Sequence, residues 1–554
     1  MKKGVLILTA FLFAFCGTIY AETNTEDSST AVEKKTTKYT KTAEVPAAKR
    51  PRKPTEDELL ASAEKDEANN TDEYVKKCND TFAYGLESEI SDLIDELTTN
   101  GDMRFVDEIY DLFQETKNPA VKQKILSYFT KLKDPCLEDY AVSVINDPYD
   151  EKKDTVAACF KYVAAVDCKE ANPGAVALVD KEDEDFFDEA LTCLGEIGGA
   201  DEAEFLADYL DRDDLTTSQK QALMKVLGRI KAVETFDKIA SIAQNQDENS
   251  FVRMYAAEAI GAMEKPEAEP ILAKLFEEDD PNFRVYVIKG IAHYHDKTAD
   301  DVIMQGLRDS QYKVRLESVN AVKDRKMTDA VPYIIYRSKD KSEESVVKDA
   351  CYKALGELNT KEGNDYLVSV ITDKKVGDNT KAKVATVLLE YNAAGTDEII
   401  ALAEETLKND ARKSLRFSLG KDFAKYGRPE YAKICAEFIA SADVSTQGTG
   451  LDIFAKGRYS SVRPAVEAIA KDADEPAESA TTTPAADSAK GKMPAKKKTP
   501  NANAKKAKRI LQQIDSLYGK DSATSTNDST TDANGTGSST GSTATSASDS
   551  AAEK

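Results

Sequence analysis

The chain of 554 residues holds only two histidines, His293 and His295, set in Ala292-His293-Tyr294-His295-Asp296. With Asp296 they could in principle share a metal ion, since imidazole nitrogen and carboxylate oxygen both ligate zinc. No second catalytic group accompanies them, so a proton-transfer role lacks a partner. Two histidines at a helix end are expected to be solvated or to cap it. The acidic run Asp180-Lys181-Glu182-Asp183-Glu184-Asp185 lacks the central Gly and terminal bidentate Glu of a calcium loop, and reads as a solvated loop that caps the next helix. No Gly-rich phosphate loop leads into Lys-Ser or Lys-Thr, and no Gly-x-Ser-x-Gly elbow is present. The expectation is a protein with no catalytic residue, metal or cofactor, and so not an enzyme.

Charge is the more regular chemistry. Lys and Arg number 75 against 99 Asp and Glu, a formal charge of −24, which argues against nucleic acid because phosphate binding is driven by cationic side chains. Lys220, Arg253, Arg284, Arg315 and Arg416 each stand six residues after an acid, respectively Asp214, Asp247, Glu278, Asp309 and Asp410; Lys348 has Ser342 in that place. An acid ahead of a helix can cap its exposed amides, while a base on the first turn can reach the acid of its own or a neighbouring unit. The pairs would then form a ladder. At about 0.2 to 1 kcal/mol for each partly exposed pair, it would set register more than stability. Tyr333, Tyr336 and Arg337 are residue types that anchor protein interfaces, with packing of the tyrosines into the core as the alternative.

The elements that must position these residues repeat. Leu194-Gly195, Leu227-Gly228, Ile260-Gly261 and Leu355-Gly356 mark a period that extends to reference positions Thr130, Ala164, Gly195, Gly228, Gly261, Ala292, Lys323, Gly356, Glu390, Ala424 and Ala455. The steps run from 31 to 34 residues. One position earlier every residue is apolar, from Phe129 to Phe454, and five positions earlier, from Ile125 to Gly450, most are small or apolar. That is one helical turn on a buried face. A second helical pattern follows each first one, as in Pro270 to Phe276 and Tyr333 to Tyr336, so each unit is a helix pair.

The acid, Val-Arg, Ala and Leu-Gly pattern, as in Asp247, Val252-Arg253, Ala256-Ala257 and Ile260-Gly261, resembles the HEAT-repeat family in its short bacterial form. The resemblance covers residues 75–470 and is sharpest between Ala200 and Leu358. It implies an all-α fold, a right-handed superhelix of about 11 to 12 antiparallel helix pairs. Some HEAT-like proteins are metal enzymes that hold iron with His-Glu pairs; here no His is followed by Glu.

The flanks read differently. Residues 1–21 pair Met1-Lys2-Lys3 with a short apolar run, Val5 to Phe15, and read as a signal peptide ending near Ala21. Cys16 follows Phe15 rather than a small residue, which disfavours a lipid anchor. Residues 22–74, rich in Thr, Lys, Glu and Pro, read as a flexible linker, and 471–554 as a tail unable to bury a core. Within that tail, 490–518 carries nine basic residues followed by Ile510, Leu511, Ile514, Leu517 and Tyr518 on one helical face. Such a face needs a partner, a membrane surface or the solenoid itself. Seven cysteines would remain after cleavage, and Cys136 with Cys168, one period apart, could bridge neighbouring units. The functional expectation is an exported, periplasmic or envelope scaffold that binds a protein partner of the cell envelope through its repeats. The alternative is a tether whose basic tail engages a membrane surface.

Overall fold

The computed structural model describes residues 39–55, 58, 72–391, 394–473 and 502–518. Apart from the non-helical stretch 39–55, the described residues are helical with short turns and contain no strand. After the helix Asp72–Tyr84, twelve antiparallel pairs follow one another, beginning with Glu87–Asn100 and Val106–Glu115 and ending with Val444–Gly457 and Arg463–Lys471. The all-α solenoid expected from the repeat is what the chain forms.

Every reference position lies within three residues of the end of a first helix: Gly261 is next to last in Ser250–Ala262, and Ala292 stands just past Pro281–Ile291. The apolar residue before it is at most 1% exposed in all eleven units. The position one turn earlier is buried throughout, Gly450 included. Burying each Leu, Ile or Phe of this row is worth about 1.5–3 kcal/mol, and the row faces both the unit's own second helix and the first helices on either side. In eight units the chain turns through the left-handed region three positions past the reference residue, whereas Gly198 is extended there. Lys133, Asp167, Lys231, Glu264, Lys326, Asn359, Gly427 and Arg458 all have φ between 48° and 59° there. This residue closes the first helix and sends the chain back as the second.

The glycines in register set how close the first helices come. A Cβ on Gly261 would stand 2.3 Å from the Gly290 Cα of the next unit, and one on Gly228 would stand 2.8 Å from the Ala259 Cα. At Gly195 the nearest atom would be a Val226 methyl at an ordinary 3.4 Å.

The charge ladder exists, but its rungs run forward from unit to unit. Arg253 Nη2 donates to Glu278 Oε1 at 2.7 Å. Arg284 grips Asp309 with two bonds of 2.8 and 3.0 Å, and Arg315 grips Glu343 with two of 2.7 and 2.6 Å. Each of the last two also donates to the carbonyl of the acid six residues behind it, Arg284 to Glu278 and Arg315 to Asp309, both at 2.8 Å. One inter-unit turn is thus held by two successive arginines, one through its carboxylate and one through its backbone.

Four expectations about the ladder need correction. Asp214 is bound by Arg212, two residues away, rather than by Lys220. Asp247 is exposed, and Lys220 approaches its neighbour Glu248 instead, at 3.7 Å. Arg416 does touch Asp410 at 3.1 Å, yet Asp410 is 92% exposed; the buried guanidinium is held by the Thr406 carbonyl and by Thr446 of the next unit. Helix capping falls mainly to other residues, such as Thr216, Asn249 and Asp280. The energetic estimate changes too. The Arg284–Asp309 side chains are 13% and 9% exposed and the Arg315–Glu343 side chains 11% and 0%, so these are buried pairs, and truncating one partner strands a charge.

Arg284→Ala is expected to cost about 3 kcal/mol, against under about 1 kcal/mol for Lys220→Ala, read by hydrogen exchange in the turns on either side. Burial pushes the Asp309 carboxyl up, but the Arg284 hydrogen bond and the Gln311 amide outweigh it and hold the group below its ordinary value. The stabilisation is therefore complete above the ordinary aspartate pKa of about 3.9 and fades as pH falls through the lowered one, so the Arg284→Ala deficit should shrink in acid. Gly261→Ala should destabilise by about 1–3 kcal/mol in urea titrations, while Gly195→Ala should be neutral or mildly stabilising.

Candidate partner-binding surface

The residues that could do chemistry are dispersed. Asp296 caps the helix Lys297–Gly306 by accepting the Ala299 amide at 3.1 Å. His293 and His295 are exposed, and the His293 Nδ1 stands 3.8 Å from Glu264, which pairs with Lys231. Although 41% of the His293 side-chain surface is open, the protein packed on its other side holds the imidazole below its ordinary pKa despite Glu264. Among the described residues no three His, Cys, Asp or Glu side chains converge as metal ligands. In the acidic run, Asp183 accepts the amides of Asp185 and Phe186 and so leads into the helix Phe187–Ile197, as the loop reading requires. Cys136 and Cys168 are free, buried thiols, as are Cys78, Cys159, Cys193, Cys351 and Cys435. Burial pushes the Cys168 thiol up to about 12.

The second helix Val331–Lys339 brings Tyr333, Tyr336 and Arg337 together. Tyr336 is 64% exposed and Tyr333 37%, so the tyrosines face outward rather than into the core, where Ile334 and Ile335 go. The Arg308 guanidinium covers the Tyr333 ring at 4.7 Å, and that of Arg337 lies 5.5 Å from the Tyr336 ring. Arg337 itself is a correction: with its side chain 16% exposed and directed at Glu343 (3.6 Å) and Asp340 (3.7 Å), it braces the loop rather than offering a contact.

Of the three partners expected for the tail's amphipathic face, the solenoid itself is the one it has. Residues 502–518 include a helix, Ala504–Tyr518, packed on the last pair, Val444–Gly457 and Arg463–Lys471. Ile510, Leu511 and Ile514 are buried there with Ala504 and Ala507. The helix is fixed in register by Asn503 Nδ2 on the Val444 carbonyl (2.9 Å), Lys506 on Asp452 (2.7 Å) and Arg463 on Asp515 (2.5 Å). Its apolar face is occupied by the chain's own solenoid, so Ile510, Leu511 and Ile514 are not a membrane or partner surface. The side chains of Leu517 and Tyr518 lie outside the described residues, as do 490–501.

A strap of N-terminal residues is the feature that sequence reasoning missed. Residues 39–55, assigned to the flexible linker, lie extended along the second helices and run against the order of the repeats. Tyr39 donates to Glu202 at 2.5 Å and packs edge-on to Phe205, and Lys41 reaches Glu202 and Asp201 at 3.1 and 2.8 Å. Lys49 pairs with Glu138 at 2.5 Å and Arg50 with Asp111 at 2.9 Å. Pro51 is buried, and the Arg52 amide donates to Asp134 at 2.8 Å. Glu138 and Glu202 are 8% and 1% exposed, so these bonds answer buried carboxylates. Burial pushes the Glu202 carboxyl up, but Tyr39, the Gly199 amide and Lys41 together bring it below the usual range. A basic segment without apolar periodicity looks like a linker because its partners lie 61 to 163 residues away.

Stacked helix pairs with buried, forward-running Arg–acid rungs define an α-solenoid of HEAT type. More particularly, the chain belongs to the family of spirochaete HEAT repeat proteins, whose sequence model matches residues 82–510. That span includes the first turns of the docked C-terminal helix. No curated protein matches the sequence. Among solved structures, Kap121p is 10% identical with a TM-score of 0.37, over 84% of this chain and 57% of that one. Kap95p, solved with RanGDP, is 11% identical with a TM-score of 0.36, over 76% and 60%. This chain therefore spans little more than half the length of either. Human deoxyhypusine hydroxylase in complex with glycerol is 16% identical with a TM-score of 0.22, over 46% of this chain and 96% of that one.

Replacing Ile510 and Ile514 together by Ala should undock the C-terminal helix, at about 2 kcal/mol or more per residue. Hydrogen exchange should then show fast amides across Ala504–Tyr518 and unchanged protection in the helices before Val444.

Proposed function

We propose that this protein is an exported, non-enzymatic adaptor that binds a protein partner of the cell envelope through the second-helix face of its solenoid. The observation that carries the reading is the pair Tyr333 and Tyr336, large amphipathic rings held outward on a rigid helix beneath arginine side chains. Aromatic and arginine residues supply most of the energy of protein interfaces, and a rigid presentation lowers the entropy lost on binding. Repeats of this kind make extended surface, of which a specific complex needs roughly 1,600 Å². The export part rests on the charged start and short apolar run of residues 1–21, which lie outside the described residues. No helix among the described residues is long and apolar enough to cross a membrane.

Proximity crosslinking in native cells, followed by mass spectrometry, tests both parts. The wild type is expected to label envelope proteins, and Tyr333→Ala with Tyr336→Ala to lose the main partner while the fold is retained. Labelling confined to cytoplasmic proteins would refute export, and an unchanged partner set in the double variant would refute this surface.

A further inference from the structure

The strap touches a feature larger than itself. Glu138, Glu170 and Glu202 are spaced by 32 residues, each in the turn into a second helix or in its first turn. The same place is acidic in every later unit as far as Glu430, as at Glu234, Glu267, Asp329 and Glu362. An acid there favours the positive end of the helix, which is reason enough for any one of them. The strap shows a further use. Lys49 meets Glu138 and Lys41 meets Glu202, so bases eight residues apart in an extended chain span two repeats. Residues 39–55 carry Lys41, Lys49, Arg50, Arg52 and Lys53 against a single acid, Glu44, and three prolines that keep the backbone extended. Beyond Glu202 no described residue of the strap lies on the row, and Glu234, Glu267, Asp329 and Glu362 are all exposed.

We propose that the acidic row at the starts of the second helices is a docking track for an extended, lysine- and arginine-rich segment of a partner protein, and that residues 39–55 are its intramolecular occupant. The inference rests on the partner-binding reading above and names the chemistry of what is bound: basic residues about four or eight positions apart, in a chain kept out of helix by proline. The strap's hold is of the exchangeable kind. Lys41, Lys49 and Arg50 keep 47%, 52% and 64% of their side-chain surface exposed, and contacts of this sort are screened by salt. Covalent attachment keeps the strap in place through an effective concentration in the millimolar range, so a segment arriving from another protein is directed to the open stretch from Glu234 onward.

The test uses the full chain and a fluorescein-labelled synthetic peptide of residues 39–55, followed by anisotropy at low salt. Saturable binding to the wild type is expected, at least tenfold weaker when Lys41, Lys49, Arg50 and Arg52 of the peptide are replaced by Gln. A chain carrying Glu234→Gln, Glu267→Gln, Asp329→Asn and Glu362→Gln should likewise bind at least tenfold less tightly. Those amides keep an acceptor oxygen at each helix start, and circular dichroism checks that the helices remain. Should that chain lose helix, a photoreactive group in place of Val45 of the peptide maps the site on the wild type, with crosslinks expected between Glu234 and Glu430. Absent binding, equal binding to the folded variant chain, or crosslinks elsewhere would overturn the proposal. So would a dimer that disappears on Lys41→Gln with Lys49→Gln, because the track would then belong to a second copy. Because purified components suffice, this readout stands apart from export and from Tyr333 and Tyr336, and each reading can fail alone.

Discussion

A helix pair of some 30 residues cannot bury its own apolar face, and the rest of the structure follows from that. Each first helix covers the row of its neighbours, so Leu227 and Ile260 reach complete burial only because another unit stands on either side. The inter-unit distance is then a shared property. Where Gly261 meets Gly290 the backbones touch, and where Gly195 meets Val226 a side chain intervenes. The arginine rungs use the same adjacency. Arg284 and Arg315 can be buried only because each has an acid waiting one unit ahead and a carbonyl one turn behind.

What could be read in advance follows the range of the interaction. The repeat, the helix pairs and the buried rows were legible because they recur at fixed offsets, and repetition turns a weak local preference into a strong one. The ladder was legible in part. The spacing of six identified the basic members, while the acid each one grips, 25 to 28 residues ahead, depends on how units stack. That is why Glu343 and Glu248 were missed and Asp214 and Asp247 were placed in the ladder. The outward tyrosines could not be separated from inward ones, since a four-residue stretch containing Tyr333, Ile334, Ile335 and Tyr336 offers apolar material on every side.

The strap and the C-terminal helix differ in a way that the amino acids explain. The helix announced itself through Ile510, Leu511 and Ile514 on one face, and only its docking site was open. The strap had no such pattern, because extended chain held by side-chain charges leaves no periodic mark. Its signal was on the other side of the contact, in acids one period apart, which is visible only once the second helices are aligned as well as the first.

The C-terminal helix also bears on how copies of the chain behave toward one another. A stack of like units has two exposed ends, each resembling the inside of the molecule, and an end that fits the opposite end of a second copy builds an open filament. Here the last pair is roofed by Ala504–Tyr518, whose outer side carries Lys505, Arg509 and Gln512 in place of another apolar row. The solenoid is thereby given a fixed length from within its own sequence, and growth by head-to-tail addition is closed off at that end.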